Sequence, residues 1–191
     1  MTGRQAKALT PATLKRALKH VAHSKVPLRD RVILLLTALA GLRACEVAGL
    51  DWSMVLGANG RVSNAIEIRD AIAKKGGGRR VPLHPDLRSA LSALLRATDG
   101  VGPVIRSAKD GALRANSIVN WFSSLYREIG AVGCSSHSGR RTFITNAARS
   151  AHRAGASLRD VQLLAGHRSI ETTQRYIDGD TDAQRRLVQY L

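Results

Sequence analysis

Two histidines in this chain stand at fixed distances from residues that could act with them. His137 and Arg140 lie three apart in "SSHSGRRTF", and His167 lies nine residues before Tyr176 in "LAGHRSIETTQRY". If the first segment enters a helix, His137 and Arg140 project to one side of it. In "AGLRACEVAGLDW", Arg43 follows strongly apolar sequence, with Glu46 one turn later. A buried arginine needs an anion, and either Glu46 or a ligand could supply it. "AKKGGGRRVPL" sets Lys74 and Lys75 before three glycines, which let a backbone approach a partner closely and let a hairpin move.

Two arginines, a lysine, two histidines and a tyrosine suit phosphodiester cleavage by a tyrosine nucleophile. Guanidinium groups match the negative charge spread over the non-bridging oxygens with paired donors. A phenol ionises only near pH ~10 and needs a base to assist it. The leaving 5′-oxygen needs a proton, which a flexible lysine can deliver. Each segment taken alone also has an ordinary structural explanation. These are a solvated helix start at His137, an internal Arg43–Glu46 pair, and an amphipathic boundary tyrosine at Tyr176. Lys75, Arg79 and Arg80 fit an exposed basic hairpin that touches phosphates without reading sequence.

The bulk composition points the same way. Thirty Lys and Arg stand against fourteen Asp and Glu among 191 residues, a formal charge of +16. So basic a domain repels itself unless an anion is its usual partner. Nucleic acid is the first expectation and an anionic membrane surface the second. Ribosomal or packaging proteins share this signal, so charge by itself does not imply catalysis. The 44% apolar content supports a real core, and with 4% aromatics that core must be aliphatic. Cys45 and Cys134 are too few for a disulfide framework and have no zinc spacing. The first ten residues lack the apolar run of a signal peptide, and "VILLLTALAGL" is too short to span a bilayer. A soluble cytoplasmic protein is expected, without a membrane partner.

The elements that must position these residues follow from pattern. Thr10 caps and Pro11 opens a helix over 11–23. A helix over 28–40 is apolar nearly all round, hence central and buried. "LRACEVAGL" forms a short helix after Gly41. Residues 61–83, with alternation at Ile66, Ile68 and Ile72 and a glycine turn at 76–78, predict a small antiparallel sheet with a flexible hairpin. Helices are predicted over 86–97, 115–129, 139–152, 157–165, 169–177 and 181–190. The fold class is therefore mainly α with a small antiparallel β-sheet (α+β).

The four segments resemble, in order, the boxes of the tyrosine recombinase catalytic domain, the family of phage integrases and Xer-type recombinases. "AGLRACEVAGLDW" is similar to its first arginine box and "AKKGGGRRVPL" to its lysine hairpin. "HSGRRTF" is similar to its His-x-x-Arg box, and "LAGHRSIETTQRY" to its Gly-His box with the tyrosine nine residues on. The resemblance implies that Arg43 and Arg140 hold the scissile phosphate. It makes Lys74 the general acid, with Lys75 as the fallback, and His137 the general base or a hydrogen-bond partner in that role. His167 would donate to a phosphate oxygen, and Tyr176 would form a 3′-phosphotyrosyl link that frees a 5′-hydroxyl. Glu46 would support Arg43. No metal, cofactor or ATP is implied, because the link conserves the bond energy. Arg141 stands where many members have His, and Ile177-Asp178 where many have Thr-His; neither is one of the six chemical positions.

Double-stranded DNA is the implied partner, with Lys75, Arg79, Arg80 and Arg141 as further DNA contacts. Self-association into a tetrameric synapse on DNA is implied too, with accessory DNA-bending proteins as an additional partner. Arg43 comes 42 residues in, leaving no room ahead of it for the family's core-binding domain. The expectation is a single catalytic domain over 1–191, either excised or natural, as in the short fimbrial-switch inversion recombinases. Half a clamp should bind DNA weakly and lose affinity steeply with salt. Leu187, Val188 and Leu191 are expected to dock a C-terminal helix on a neighbouring protomer. Three alternatives stay open: a type IB topoisomerase, an inactive recombinase, and a non-catalytic helix-turn-helix DNA binder. The last would use Gly166 as its turn and Ser169–Tyr176 as its recognition helix.

Overall fold

Pro27 and the apolar run behind it fix the middle of the molecule. In the computed structural model, which describes residues 6–73, 77–107, 111–176 and 188–189, helix α2 spans Pro27–Leu39 and buries every residue from Val32 to Ala38. Each Val, Leu or Ile so buried contributes about 1.5–3 kcal/mol of transfer free energy. Helix α1 (Pro11–Val21) packs on it. Thr10 caps α1 by accepting from Thr13 N at 3.1 Å, and Pro11 sits at the first helical position.

Helix α3 (Ala44–Ala48) follows Gly41, which turns the chain at φ 65°. The strands are β1 (Ala65–Ile68) and β2 (Arg79–Pro82), antiparallel, with Ile66 opposite Val81 and Ile68 opposite Arg79. The expected strand extension through Ile72 is absent: β1 stops at Ile68 and residues 70–73 form a turn. Ile72 packs instead on Gly49, where a β-carbon would lie 2.6 Å from Ile72 Cγ2.

Helix α4 (Pro85–Arg96) packs on α2, and α5 (Ala115–Glu128) on α3. Along α5, Ile118, Phe122, Leu125 and Tyr126 are buried at the spacing of one helical face. Helix α6 (Ser138–Ser150) also packs on α2. A second, smaller core of Ile144, Ala151, Val161 and Ala165 joins it to α7 (Leu158–Ala165), and Tyr176 packs on its edge. Helix α8 is only Ile170–Gln174, shorter than the predicted 169–177. Lys74, Lys75, Leu187 and Leu191 lie outside the described residues, as does most of the predicted 181–190 helix. Among the described residues no helix is long and apolar enough to cross a membrane.

The crossing of α6 on α2 depends on Gly139. A β-carbon there would fall within clashing distance of Thr37 Oγ1 and 3.1 Å from the Thr37 carbonyl carbon. Gly139→Ala gains some helix propensity but overpacks a rigid contact, so it should cost about 1–3 kcal/mol of stability. It should also displace the neighbouring Arg140. Urea denaturation checks the first expectation.

Candidate active site

Helix α7 ends in a left-handed glycine, Gly166 at φ 62°. The last carbonyls of a helix have no partner within it, and the dipole leaves that end negative. Here three arginines from three other elements take three consecutive carbonyls. Arg79 Nε, from β2, donates to Leu164 O at 2.8 Å. Arg140 Nη2, from the first turn of α6, donates to Ala165 O at 2.7 Å. Arg43 Nη2, from the N-cap of α3, donates to Gly166 O at 3.3 Å. The end of α7 thus gathers three arginines that span residues 43 to 140 of the sequence at one turn.

Arg140 is buried, and its Nη1 also donates to Gly41 O. Burial, then the positive charge of Arg43, pulls its guanidinium down to about 10, still cationic at neutral pH. Glu46 is fully buried beneath the arginines. It accepts from Arg43 N at 2.9 Å and Arg43 Nη1 at 3.0 Å, and from Arg79 Nη1 and Nη2 at 2.9 Å each. Burial pushes the Glu46 carboxyl upward, but Arg79 and then Arg43 outweigh it and hold the group below the usual carboxylate range. Arg43 and Arg79 share the Glu46 carboxylate while Arg140 is held by two backbone carbonyls. Among the described contacts, three guanidiniums therefore stand against one carboxylate, and two positive charges are left over. An unbalanced buried charge is costly, so the cluster calls for an outside anion.

His167 directly follows Gly166. Its Nδ1 lies 2.9 Å from Oγ1 of the buried Thr173, and its backbone carbonyl accepts from Gln162 Nε2 at 2.9 Å. Burial, and then Arg140, Arg43 and Arg79, push the imidazole down to about 4. The free protein thus holds His167 neutral. In the tautomer in which Thr173 Oγ1 donates to Nδ1, Nε2 carries the proton and is a donor for an anion.

Tyr176 stacks on the His167 ring, centroids 5.6 Å apart, and the Arg141 guanidinium lies 5.7 Å from its ring centre. Thr145 Oγ1 reaches the Tyr176 carbonyl at 3.5 Å. His137 occupies the N-cap position of α6, three residues before Arg140, with no side-chain capping bond, and is exposed; its backbone N–H donates to Ser135 Oγ at 3.3 Å. Gly77, Gly78 and Arg80 line a cleft shared with Leu163, His167 and Arg168, so the root of the lysine hairpin sits beside the histidine turn.

The structure brings together Arg43, Arg140, His167 and Tyr176, with Glu46 behind them. Arg80 is exposed on β2, as expected. Arg79 is not: its side chain is 7% exposed and its guanidinium is committed to Glu46 and Leu164 O. Its expected place on an exposed hairpin gives way to an inward face, because Arg79 shares strand parity with the buried Val81. That alternation was the available signal. No short-range pattern in the sequence marks Gln162 or Thr173, which hold the His167 carbonyl and ring.

In the free protein His167 should titrate near pH 4, with no inflection between pH 5 and 8, by NMR of its ring protons. Its folded value lies below the ordinary one near 6.5. The stability it contributes is therefore full above that ordinary value and is lost as pH falls through the window down to about 4.

The phage integrase family model matches residues 7–182. Over 162 residues the chain is 32% identical to tyrosine recombinase XerC of Rhodospirillum centenum, covering 82% of this chain and 44% of that protein. XerC of Pelobacter propionicus is 31% identical over 153 residues, covering 78% of this chain and 47% of that protein. The chain thus spans about half the length of these relatives. Among solved structures, XerA recombinase superposes with a TM-score of 0.74 at 24% identity, over 96% of this chain and 64% of that one. The Tn1549 transposon integrase in complex with a circular intermediate DNA gives 0.78 at 19% identity, over 100% of this chain and 67% of that one. At those identities the superpositions speak for the fold: mainly α, with a small antiparallel sheet.

Proposed function

The chain belongs to the phage integrase family, and on that footing we propose that it is a site-specific recombinase that breaks and rejoins DNA through a phosphotyrosine link. The observation that carries this is the surplus of positive charge held on three consecutive carbonyls beside the Tyr176 ring. Arg43 and Arg140 hold the non-bridging oxygens of one phosphate, and His167 Nε2 donates to the same group. Tyr176 Oη attacks phosphorus, its proton passing to His137. The bond to the 5′-oxygen breaks as Lys74 protonates it, with Lys75 as the fallback acid. A 5′-hydroxyl from a partner strand reverses each step, so the cycle needs no net reactant.

The partners in this proposal are double-stranded DNA, further copies of the chain assembled on it, and accessory DNA-bending proteins. Arg80 and Arg141 supply further phosphate contacts. The protein would work in the cytoplasm at the nucleoid, this chain forming the catalytic domain.

The test is incubation with a nicked DNA substrate that loses the 5′-hydroxyl strand after cleavage. A DNA–protein adduct resistant to SDS is expected, and Tyr176→Phe should abolish it, a fall of at least about 10³-fold. No adduct from the wild type over a library of sites would overturn the proposal. Sequence-indifferent plasmid relaxation would move it to topoisomerase chemistry.

A further inference from the structure

The proposed mechanism does not use Arg79. It is nonetheless the more deeply placed of the two arginines on Glu46, its side chain 7% exposed against 19% for Arg43. Its two terminal nitrogens take both carboxylate oxygens, whereas the Arg43 guanidinium touches one oxygen through one nitrogen. Arg79 is pinned there by Leu164 O and by Gly166, where a β-carbon would lie 2.9 Å from Arg79 Nη1.

We propose that Arg79 is a positioning residue: it serves as the counter-charge of Glu46 and so leaves the positive charge of Arg43 available to the scissile phosphate. The physical ground is competition. A fully buried carboxylate with a single cationic partner draws that partner into a closed ion pair. Without Arg79, the only guanidinium left on Glu46 among the described residues is Arg43, and the pair becomes neutral where the phosphate must bind. With Arg79 present, the carboxylate is already matched by a forked cation, and Arg43 keeps its charge toward solvent. Lysine in place of Arg79 would keep the charge but lose the fork.

This inference rests on the recombinase proposal, but its sign can be read separately. Single-turnover adduct formation is compared for wild type, Arg79→Met, Arg79→Lys and the double variant Arg79→Met/Glu46→Gln. Arg79→Met should slow the reaction about a hundredfold. The double variant, lacking the uncompensated carboxylate, should recover about tenfold or more over Arg79→Met. Arg79→Lys should fall between Arg79→Met and wild type. A residue that only packs would give a double variant no faster than Arg79→Met, and that result overturns the inference.

A binding readout keeps the two ideas apart. Inorganic phosphate should raise the thermal midpoint of the wild type by an amount that Arg43→Met reduces. Arg79→Met should remove the same part, and adding Glu46→Gln should restore it. If the wild type forms no adduct but this pattern holds, recombinase chemistry fails and the counter-charge stands. If adducts form but neither readout recovers in the double variant, the counter-charge fails alone. Should Arg79→Met not fold, recovery of folding and phosphate response in the double variant supports the inference, and failure of both overturns it.

Discussion

Arg140→Met is expected to lose both stability and chemistry, the largest combined effect of any single change in the site. The side chain is 4% exposed, and it donates to Gly41 O and Ala165 O. Methionine fills much of the space but leaves two buried carbonyls without a donor, at about 1–3 kcal/mol each. It would loosen the two features that those bonds join, the turn after α2 and the end of α7. Loss of one preorganised phosphate donor adds about 3 kcal/mol to the barrier, on the order of 10²-fold or more in rate. Urea unfolding measures the first quantity and single-turnover adduct formation the second. Arg140→Lys should retain part of the rate and little of the stability, since one ammonium cannot span two carbonyls and a phosphate. Wild-type stability in Arg140→Met would show that the carbonyl contacts do not hold the site together.

Glu46→Ala is the second large effect. It removes the carboxylate that Arg43 and Arg79 share and leaves two cations facing each other in a buried place. Breaking a buried pair in this way costs about 3–5 kcal/mol. The change should also alter the response to acid. The folded Glu46 carboxyl is held below its ordinary range by Arg79 and Arg43 against the opposing effect of burial. Its contribution is therefore complete above the unfolded value and is lost as pH falls through the depressed folded value. Wild-type stability should decline in that acidic window, and the Glu46→Ala curve should be flatter there. Parallel curves for the two proteins would mean that Glu46 is not the charged anchor described here.

Much of this could be read along the chain. The helix of α2 follows from an apolar run, α5 from Ile118, Phe122, Leu125 and Tyr126 on one face, and the start of α1 from Thr10 and Pro11. The chemical residue types were legible because their spacings within each box are local. What holds them together was not. The choice of Leu164, Ala165 and Gly166 carbonyls as acceptors for Arg79, Arg140 and Arg43 is a long-range match, and nothing in the neighbouring sequence of each arginine specifies it. Ile72 reads as a strand residue by alternation, yet its partner is Gly49, which only the folded chain brings near. Helix α8 ends at Gln174, before the periodicity would stop it. Arg79 is the middle case: its inward face is written in its parity with Val81, but its partner Glu46 lies 33 residues away.

The most direct test of a shared phosphate with a phenolic attacker is to map the covalent bond itself. DNA–protein adducts are trapped on a nicked substrate, digested with protease and sequenced by mass spectrometry, and the released DNA ends are assayed. A nucleotide 3′-phosphate esterified to Tyr176, with a free 5′-hydroxyl on the other strand end, is the predicted result. Attachment at Tyr126 or Tyr190, a 5′-phosphoryl linkage, or an adduct that survives Tyr176→Phe would contradict it.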